Sequence, residues 1–214
     1  MNVSAIIPVG PGHERVARQA VASVWDAWHA DDGDFSSVEV CVVPDHAGHK
    51  GRSRARNEGV SGAEADWILF LDADDLLLVE SFRLAGDALM CSPGLVGIWG
   101  AIMTERLGVT GKNVCPLSFA QILHHRAVGT LSMGCFVRAD RARATPFDVN
   151  LSNGEDFDFY LRLLAGGVPF VKLEEPLALI RDKVPNCDGT EGEEGQWQEA
   201  CDLVFDRYME RAEP

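Results

Sequence analysis

Hydrophobic and polar residues alternate along the first half of the chain in blocks that predict strands and helices in turn. The segment VSAIIPV is apolar and β-branched and ends at the turn sequence GPG, as a buried strand does. A helix is predicted next, because apolar residues from Val16 to Trp28 recur at helical spacing. SVEVCVV predicts a second strand that closes at Pro44 and Asp45, KGRSRARNEG begins a second helix, and WILFL predicts a third strand buried on both faces.

The second half of the chain has a looser pattern. It predicts a helix around 80–90, strands around 95–103 and 131–137, helices over LSFAQILHH and GEDFDFYLRLLAGG, and one or two short strands in VPFVKLEEPLALIR. The acidic, glycine-rich stretch 182–195 is predicted to be a mobile loop, and an amphipathic helix over about 196–211 follows it. The strand–helix alternation predicts an α/β fold with a mainly parallel central sheet flanked by helices, whose ligands lie outside the C-terminal strand ends.

Length and composition are typical of a single globular domain. The chain has 214 residues, of which 46% are hydrophobic and 24% charged, enough for a real core. No apolar run approaches the roughly 18 residues of a membrane span, and the first ten residues lack a secretion signal. We therefore expect a cytoplasmic protein. Six scattered cysteines without a close pair favour reduced thiols over a zinc site or a disulfide framework.

The charge balance narrows the choice of partners. With 19 basic and 33 acidic residues the net charge is −14, so the chain has no general attraction to nucleic acid or to an anionic membrane. One basic cluster, Lys50, Arg52, Arg54 and Arg56, stands out against this background. It is either a solvated helix face or a local site for an anionic ligand, and the acidic surroundings favour the anion site. Arg56 and the following Asn57 are interpreted as holding the helix against the sheet.

Three carboxylates occupy four positions directly after the third predicted strand: Asp72, Asp74 and Asp75. If the chain stays extended, Asp72 and Asp74 point to the same side, about 6.6 Å apart along the strand. Two bare charges at that distance repel by about 2.5 kcal/mol at an effective dielectric of 20. A bound cation would relieve this repulsion. The alternative is that these carboxylates cap a helix that begins near Val79.

In their order and spacing, these segments resemble the family 2 glycosyltransferases of the GT-A fold. Those enzymes have a strand ending in Pro, a Gly-x-x-x-Ala-Arg-Asn-x-Gly helix start, an Asp-x-Asp metal motif and a late Glu-Asp pair that opens a helix. The corresponding segments here are VSAIIPV, GRSRARNEG, DAD and NGED. The resemblance covers most of residues 3–181. It implies one Rossmann-like domain over 1–214, in which 1–100 bind a nucleotide sugar and 101–214 form a smaller acceptor-side half.

The family resemblance also implies a reaction. It is the metal-dependent transfer of one sugar, with inversion, from a nucleoside diphosphate sugar, most simply UDP-linked, to the hydroxyl of an acceptor that the sequence does not identify. Mg²⁺ or Mn²⁺ suits oxygen ligands and a departing diphosphate. The implied site residues are the metal ligands Asp74 and Asp72; the donor-binding Pro8, Val9, Gly10, Asp45, Arg52, Arg54, Asp72 and Ala73; and the catalytic Asp156, a general base supported by Glu155.

The position of Asp156 fits the implied role. It lies in the first turn of a predicted helix, where the dipole and free backbone amides favour the ionised form that a base requires. The alternative is simple N-terminal capping.

Two departures from the family pattern bear on the site. Only five residues separate Asp45 from Gly51, where the family usually has a longer loop, helix and strand, so we expect a trimmed nucleotide pocket. Family members often use a late histidine as a metal ligand, yet no histidine follows His125. Water, the donor diphosphate, Asp182 or Asp188 would have to complete the metal site.

Two other classes of function are alternatives. Phosphatases of the haloacid dehalogenase type also place Asp-x-Asp after an apolar strand, normally the first strand and followed by Gly-Thr or a similar pair. Here Asp75 and Leu76 follow instead. The third class is a sugar-nucleotide-binding module without activity, against which the presence of both Asp74 and Asp156 argues.

Overall fold

The computed structural model describes residues 1–105, 108–110, 131–165, 167–181 and 194–212. Its strands are β1 Asn2–Val9, β2 Ser37–Pro44, β3 Trp67–Phe70, β4 Leu76–Leu77, β5 Gly97–Thr104, β6 Gly108–Thr110, β7 Cys135–Arg138 and β8 Phe170–Ile180. Its helices are α1 Glu14–Ala30, α2 Gly51–Gly62, α3 Ser81–Cys91, α4 Ala139–Ala144, α5 Glu155–Leu164 and α6 Glu194–Ala212. The predicted helix LSFAQILHH and most of the predicted loop 182–195 lie outside the described residues, and α6 begins two residues before the predicted helix start at 196.

The strands form one sheet in the order β2-β1-β3-β7-β5-β8-β4, with β6 beside β5. β1 is parallel to both β2 and β3, whereas β7 is antiparallel to β3 and β5. Helices flank the sheet, which confirms the predicted α/β class. β8 is one strand of 11 residues with shifts in its register against β5, where one or two short strands were predicted.

The core lies on both faces of the sheet because alternate residues of a strand point to opposite sides. On one face Ile6 and Phe70 pack with residues of α2 and α5. On the other, Ile7 and Leu69 pack with residues of α1 and α3. Every residue of β3 is buried, as its uninterrupted apolar sequence predicts. Among the described helices, none is both long and apolar enough to cross a membrane.

A close approach of α2 to β1 positions the start of α2 at the C-terminal edge of the sheet. Gly59 allows this approach, because a Cβ atom there would lie 2.5 Å from Cγ2 of Ile6. Asn57 ties the same helix to the segment before α5: its Nδ2 donates to the carbonyl of Phe147 at 2.9 Å, and its Oδ1 accepts from the Phe147 N–H at 2.8 Å. The basic residues of α2 are therefore held in a fixed position relative to the C-terminal ends of the strands.

Candidate functional site

The C-terminal ends of β1, β2 and β3 meet at one edge of the sheet. The N–H of Asp45, just after β2, donates to the carbonyl of Val9 at 2.8 Å. The N–H of Leu71, just after β3, donates to the carbonyl of Ile6 at 3.2 Å. The loops that follow these strands are therefore neighbours, as a parallel sheet requires.

A cavity of about 210 Å³ opens at this edge. It is lined by the loop after β1, the end of β2 and the first turns of α2: Pro8, Val9, Gly10, Pro11, Asp45, Gly48, Gly51, Arg52 and Ala55. Five residues predicted for donor binding thus lie together. Three others do not line the cavity: Arg54 is exposed elsewhere on α2, Ala73 is buried in the turn after β3, and Asp72 in the same turn is paired with Arg56. A larger cavity of about 820 Å³, beside Met1 and Trp67, lies at the opposite end of the strands and contains none of the predicted site residues.

Asp45 has a structural task that the sequence did not reveal. Its carboxylate accepts the N–H of Lys50 at 3.1 Å and the N–H of Gly51 at 2.8 Å, and so caps the start of α2. Burial raises the pKa of Asp45, but these backbone hydrogen bonds and the Lys50 charge outweigh burial and hold the pKa below its ordinary value. The carboxylate is therefore ionised at the wall of the cavity.

The chain after β3 does not stay extended, in contrast to the geometry considered from the sequence. The N–H of Asp75 donates to the carbonyl of Asp72 at 3.1 Å and closes a turn. The side chains of the three aspartates then diverge. Asp72 pairs with Arg56, Oδ2 of Asp74 lies 3.9 Å from Nε2 of His13, and Oδ1 of Asp75 accepts the N–H of Arg181 at 3.0 Å. None of them caps α3, whose N-cap residue is Glu80.

The turn concentrates negative charge. Burial raises the pKa of Asp74, and the neighbouring Asp72 charge raises it further. Burial, together with the charges of Asp72 and Asp74, raises the pKa of Asp75 to about 8. A bound divalent cation would relieve the repulsion between these carboxylates, whose oxygens are suitable ligands for Mg²⁺ or Mn²⁺. The side chain of Asp74 is 36% exposed and thus accessible to such an ion.

The described residues would supply only part of the coordination shell of a metal ion at this turn. In the described segments, no group of three or more His, Cys, Asp or Glu side chains is gathered around a common point. Donor phosphates and water would supply the missing ligands. Asp182 and Asp188, the other predicted candidates, lie outside the described residues. The donor set of this turn thus fits a cation that arrives together with an anionic ligand.

Arg56 links this turn to α5. Its Nη2 donates to Oδ1 of Asp72 at 2.6 Å, and its Nη1 donates to Oε1 of Glu155 at 2.8 Å. The Arg56 side chain is 2% exposed, and its Cζ lies 5.3 Å from the centre of the Phe147 ring. Burial lowers the pKa of Arg56, but the charges of Asp72 and Glu155 outweigh burial and raise it. Arg56 therefore does more than hold a helix against the sheet.

Glu155 and Asp156 begin α5 after Gly154, which has a φ of 70° that favours glycine. Glu155 is buried between two arginines, because Nε of Arg52 also approaches its Oε1 to 3.3 Å. Nη2 of Arg52 in addition donates to the Ser152 carbonyl at 3.0 Å. Glu155 thus lies within an ion-pair network, directly beside Asp156 in the sequence.

The pKa of Asp156 departs from the sequence-based expectation. Its Oδ1 accepts the N–H of Phe157 at 2.8 Å, which favours the ionised form, as predicted for the first turn of a helix. Burial and the charge of Glu155 nevertheless outweigh this hydrogen bond and the charge of Arg56, and raise the pKa of Asp156 to about 6. The carboxylate is still mostly ionised at pH 7, and it is a stronger base than an ordinary aspartate.

Sequence reasoning missed two residues at the Asp72–Asp75 turn. His13 follows the GPG turn after β1, and its Nδ1 is hydrogen-bonded to the Pro11 carbonyl at 3.0 Å, which leaves Nε2 facing Asp74. Arg181 directly follows β8, and its Nε donates to the carbonyl of Asp74 while its Nη1 donates to Oε1 of Gln19 at 2.6 Å. The position of His13 in the first strand–helix loop was a usable signal, whereas nothing local marks Arg181.

Comparison with known proteins agrees with this geometry. Residues 20–97 match the family described as Glycosyl transferase family 2. A Haemophilus influenzae protein described as an uncharacterized glycosyltransferase is 23% identical over 185 residues, which cover 83% of this chain and 62% of the relative. The match confirms the predicted resemblance to family 2 glycosyltransferases and supports the prediction that the chain is an enzyme of this type.

Solved structures confirm the GT-A fold. TarS of S. aureus in complex with UDP-GlcNAc has a TM-score of 0.71 at 15% identity, covering 95% of this chain and 65% of TarS. Glucosyl-3-phosphoglycerate synthase of Mycobacterium tuberculosis, with Mn²⁺, UDP-glucose and phosphoglyceric acid, has a TM-score of 0.54 at 13% identity, covering 98% of this chain and 79% of the synthase. The chain spans less than two thirds of the length of TarS and of the H. influenzae relative.

Proposed function

We propose that this chain, a relative of the family 2 glycosyltransferases with their GT-A fold, moves one sugar from a nucleoside diphosphate sugar to an acceptor hydroxyl. One observation carries the proposal. The 210 Å³ cavity, the Asp72–Asp75 turn and Asp156 lie along the same edge of the sheet, and Arg56 joins the turn to the residue beside Asp156. This arrangement supports the proposal that a donor site lies beside a base.

The donor side of the reaction uses the cavity and the turn. Pro8, Val9 and Gly10 form a wall for the base of the nucleotide, and Asp45 offers a carboxylate to a ring N–H. Arg52 lies at the mouth, where its guanidinium is suited to a diphosphate. When bound at Asp74, Mn²⁺ or Mg²⁺ would neutralise the charge that develops on the departing diphosphate. UDP is the favoured nucleotide because two structural neighbours were crystallised with UDP sugars.

The acceptor side depends on Asp156. A pKa of about 6 keeps this carboxylate ionised at neutral pH and basic enough to take the proton of an acceptor hydroxyl. The hydroxyl oxygen then attacks the anomeric carbon from the face opposite the diphosphate, which inverts the configuration. Glu155 and Arg56 hold the start of α5 in place for this step. The cytoplasmic location stays a prediction.

A thermal shift panel tests the donor assignment. UDP, GDP, TDP and CMP sugars are each added with Mn²⁺ or with a chelator, and the melting temperature is recorded. We expect UDP sugars to raise it only with Mn²⁺, since ligand at 100 times its Kd stabilises the native state by about 2.7 kcal/mol. Arg52→Gln should weaken this effect, and Arg54→Gln should retain it. A rise that is independent of metal, or no rise with any sugar nucleotide, would contradict the proposal.

A further inference from the structure

The buried guanidinium of Arg56 joins three separate elements of the site. Arg56 comes from α2, Asp72 from the end of β3 and Glu155 from the start of α5. The two ion pairs use different nitrogens of the same guanidinium group, at 2.6 and 2.8 Å. Because the group is planar and its donors are fixed in a fork, moving one carboxylate displaces the other.

Two further contacts restrict the movement of Arg56. Its Cζ lies over the ring of Phe147, and the neighbouring Asn57 exchanges two hydrogen bonds with the backbone of Phe147. The third nitrogen of the group, Nε, is buried and has no hydrogen-bond partner in the described part of the chain. A buried cation that leaves one donor unsatisfied costs stability, so stability alone does not explain why an arginine occupies this position.

We propose that Arg56 is a positioning residue that ties the base carboxylate of Asp156 to the donor-side carboxylate of Asp72, through its forked ion pairs with Asp72 and Glu155. This inference rests on the proposed function. Glu155 is covalently joined to Asp156, so the Arg56–Glu155 pair fixes the first turn of α5 and with it the origin of the Asp156 side chain. The Arg56–Asp72 pair fixes the same guanidinium to the turn that receives the donor.

The charges around Asp156 supply a direct readout. The groups that face it are Glu155 on its own helix, Arg56 on α2, Asp72 after β3, Cys135 on β7 and Tyr160 one turn further along α5. Glu155 raises the pKa of Asp156 and Arg56 lowers it. Removing either charge disturbs the same ion-pair network. The two removals should nevertheless shift the pKa of Asp156 in opposite directions.

The experiment measures the titration of Asp156 by ¹³C NMR of carboxyl-labelled aspartate, with the signal assigned through its loss in Asp156→Asn. The wild-type protein should titrate at about pH 6. We expect Arg56→Met to raise the midpoint and Glu155→Gln to lower it. Arg162→Met is the matched control, because Arg162 forms an ion pair with Asp158 on the same helix, with Nε at 2.8 Å, and should leave the midpoint unchanged.

The outcomes separate this inference from the proposed function. Opposite shifts in the two variants support it; equal shifts, or no shift, overturn it, since loss of packing alone would not change the sign. If Arg56→Met does not fold, Glu155→Gln is compared with the wild type alone: a lowered midpoint supports the inference, and an unchanged or raised midpoint overturns it. In each variant, the low-pH side of the pH–rate profile for donor turnover should shift together with the titration midpoint of Asp156. Below that midpoint, activity should fall by about tenfold per pH unit. If the titration midpoint of Asp156 shifts but the pH–rate profile does not, the coupling of Arg56 and Glu155 to Asp156 is upheld and the role of Asp156 as the base is refuted.

Discussion

Asp156 has a property that a general base requires, a proton affinity near neutrality. The residue lies in the first turn of α5, and burial together with Glu155 brings its pKa to about 6. An isolated helix-capping aspartate would be ionised at neutral pH but would be a weak base. The environment of Asp156 therefore suits catalysis better than capping does, although Oδ1 also accepts the N–H of Phe157.

The substitution Asp156→Asn tests this residue. It should lower the rate of donor turnover by about 10²- to 10⁴-fold, which is the usual contribution of general base catalysis. Donor affinity should stay the same, because Asp156 does not line the nucleotide cavity. Release of the nucleoside diphosphate and a binding titration measure the two quantities. Asp158→Asn, on the same helix but paired with Arg162, should retain turnover. Full turnover in Asp156→Asn would return Asp156 to a capping role.

At this scale the sequence predicted the residues that carry motifs, but not all of their partners. The Asp-x-Asp and Glu-Asp motifs predicted Asp74 and Asp156 as candidate site residues because both are local patterns, and the roles of these residues stay predictions. The bond from Arg181 to Gln19 joins residues 162 positions apart, and the bond from Arg56 to Glu155 spans 99 positions. Such contacts are set by the fold, and no spacing rule in the sequence reports them.

Among the elements, α2 has the largest influence on the site. It supplies Arg52 to the cavity and Arg56 to the ion-pair network, and Asp45 caps its start. The distance between α2 and the sheet depends on the contact between Gly59 and Ile6. A side chain at position 59 would have to push the helix away from β1.

Gly59→Ala tests this close approach. Overpacking of a core commonly costs about 1–3 kcal/mol, so we expect the free energy of unfolding to fall by about that amount in urea denaturation. Gly62→Ala is the matched control, because a Cβ atom there meets nothing within 4 Å on the same helix. Gly62→Ala should be neutral or slightly stabilising. Equal stability of the two variants would show that α2 is free to move relative to β1.

Element prediction succeeded where periodicity was strong. Helical spacing identified α1, and the Glu-Asp pair with its apolar stripe identified α5. The antiparallel direction of β7 was not predicted, because four residues of local sequence do not encode which way a strand runs. β4 was missed since it is only Leu76–Leu77, and its pairing partner β8 lies about a hundred residues away.

The whole molecule carries a net charge of −14, which opposes the approach of an anionic donor. At physiological ionic strength the Debye length is about 8 Å, so distant charges are screened while those within the site are not. Arg56 is buried and paired with two carboxylates, and Arg52, although half exposed, is itself paired with Glu155, so a cation at Asp74 would have to supply most of the attraction for the diphosphate. We therefore expect donor binding to depend strongly on a divalent ion.

The most direct test of this account is a calorimetric titration of UDP into the wild-type protein and Asp74→Asn, each with Mn²⁺ and with a chelator. Asp87→Asn on α3 controls for the same change in net charge, since Asp87 pairs with Arg83 away from the site. The account predicts tight binding to the wild type and to Asp87→Asn only with Mn²⁺, and binding to Asp74→Asn at least about tenfold weaker, near the chelator level. Equal, Mn²⁺-dependent binding by Asp74→Asn would contradict it.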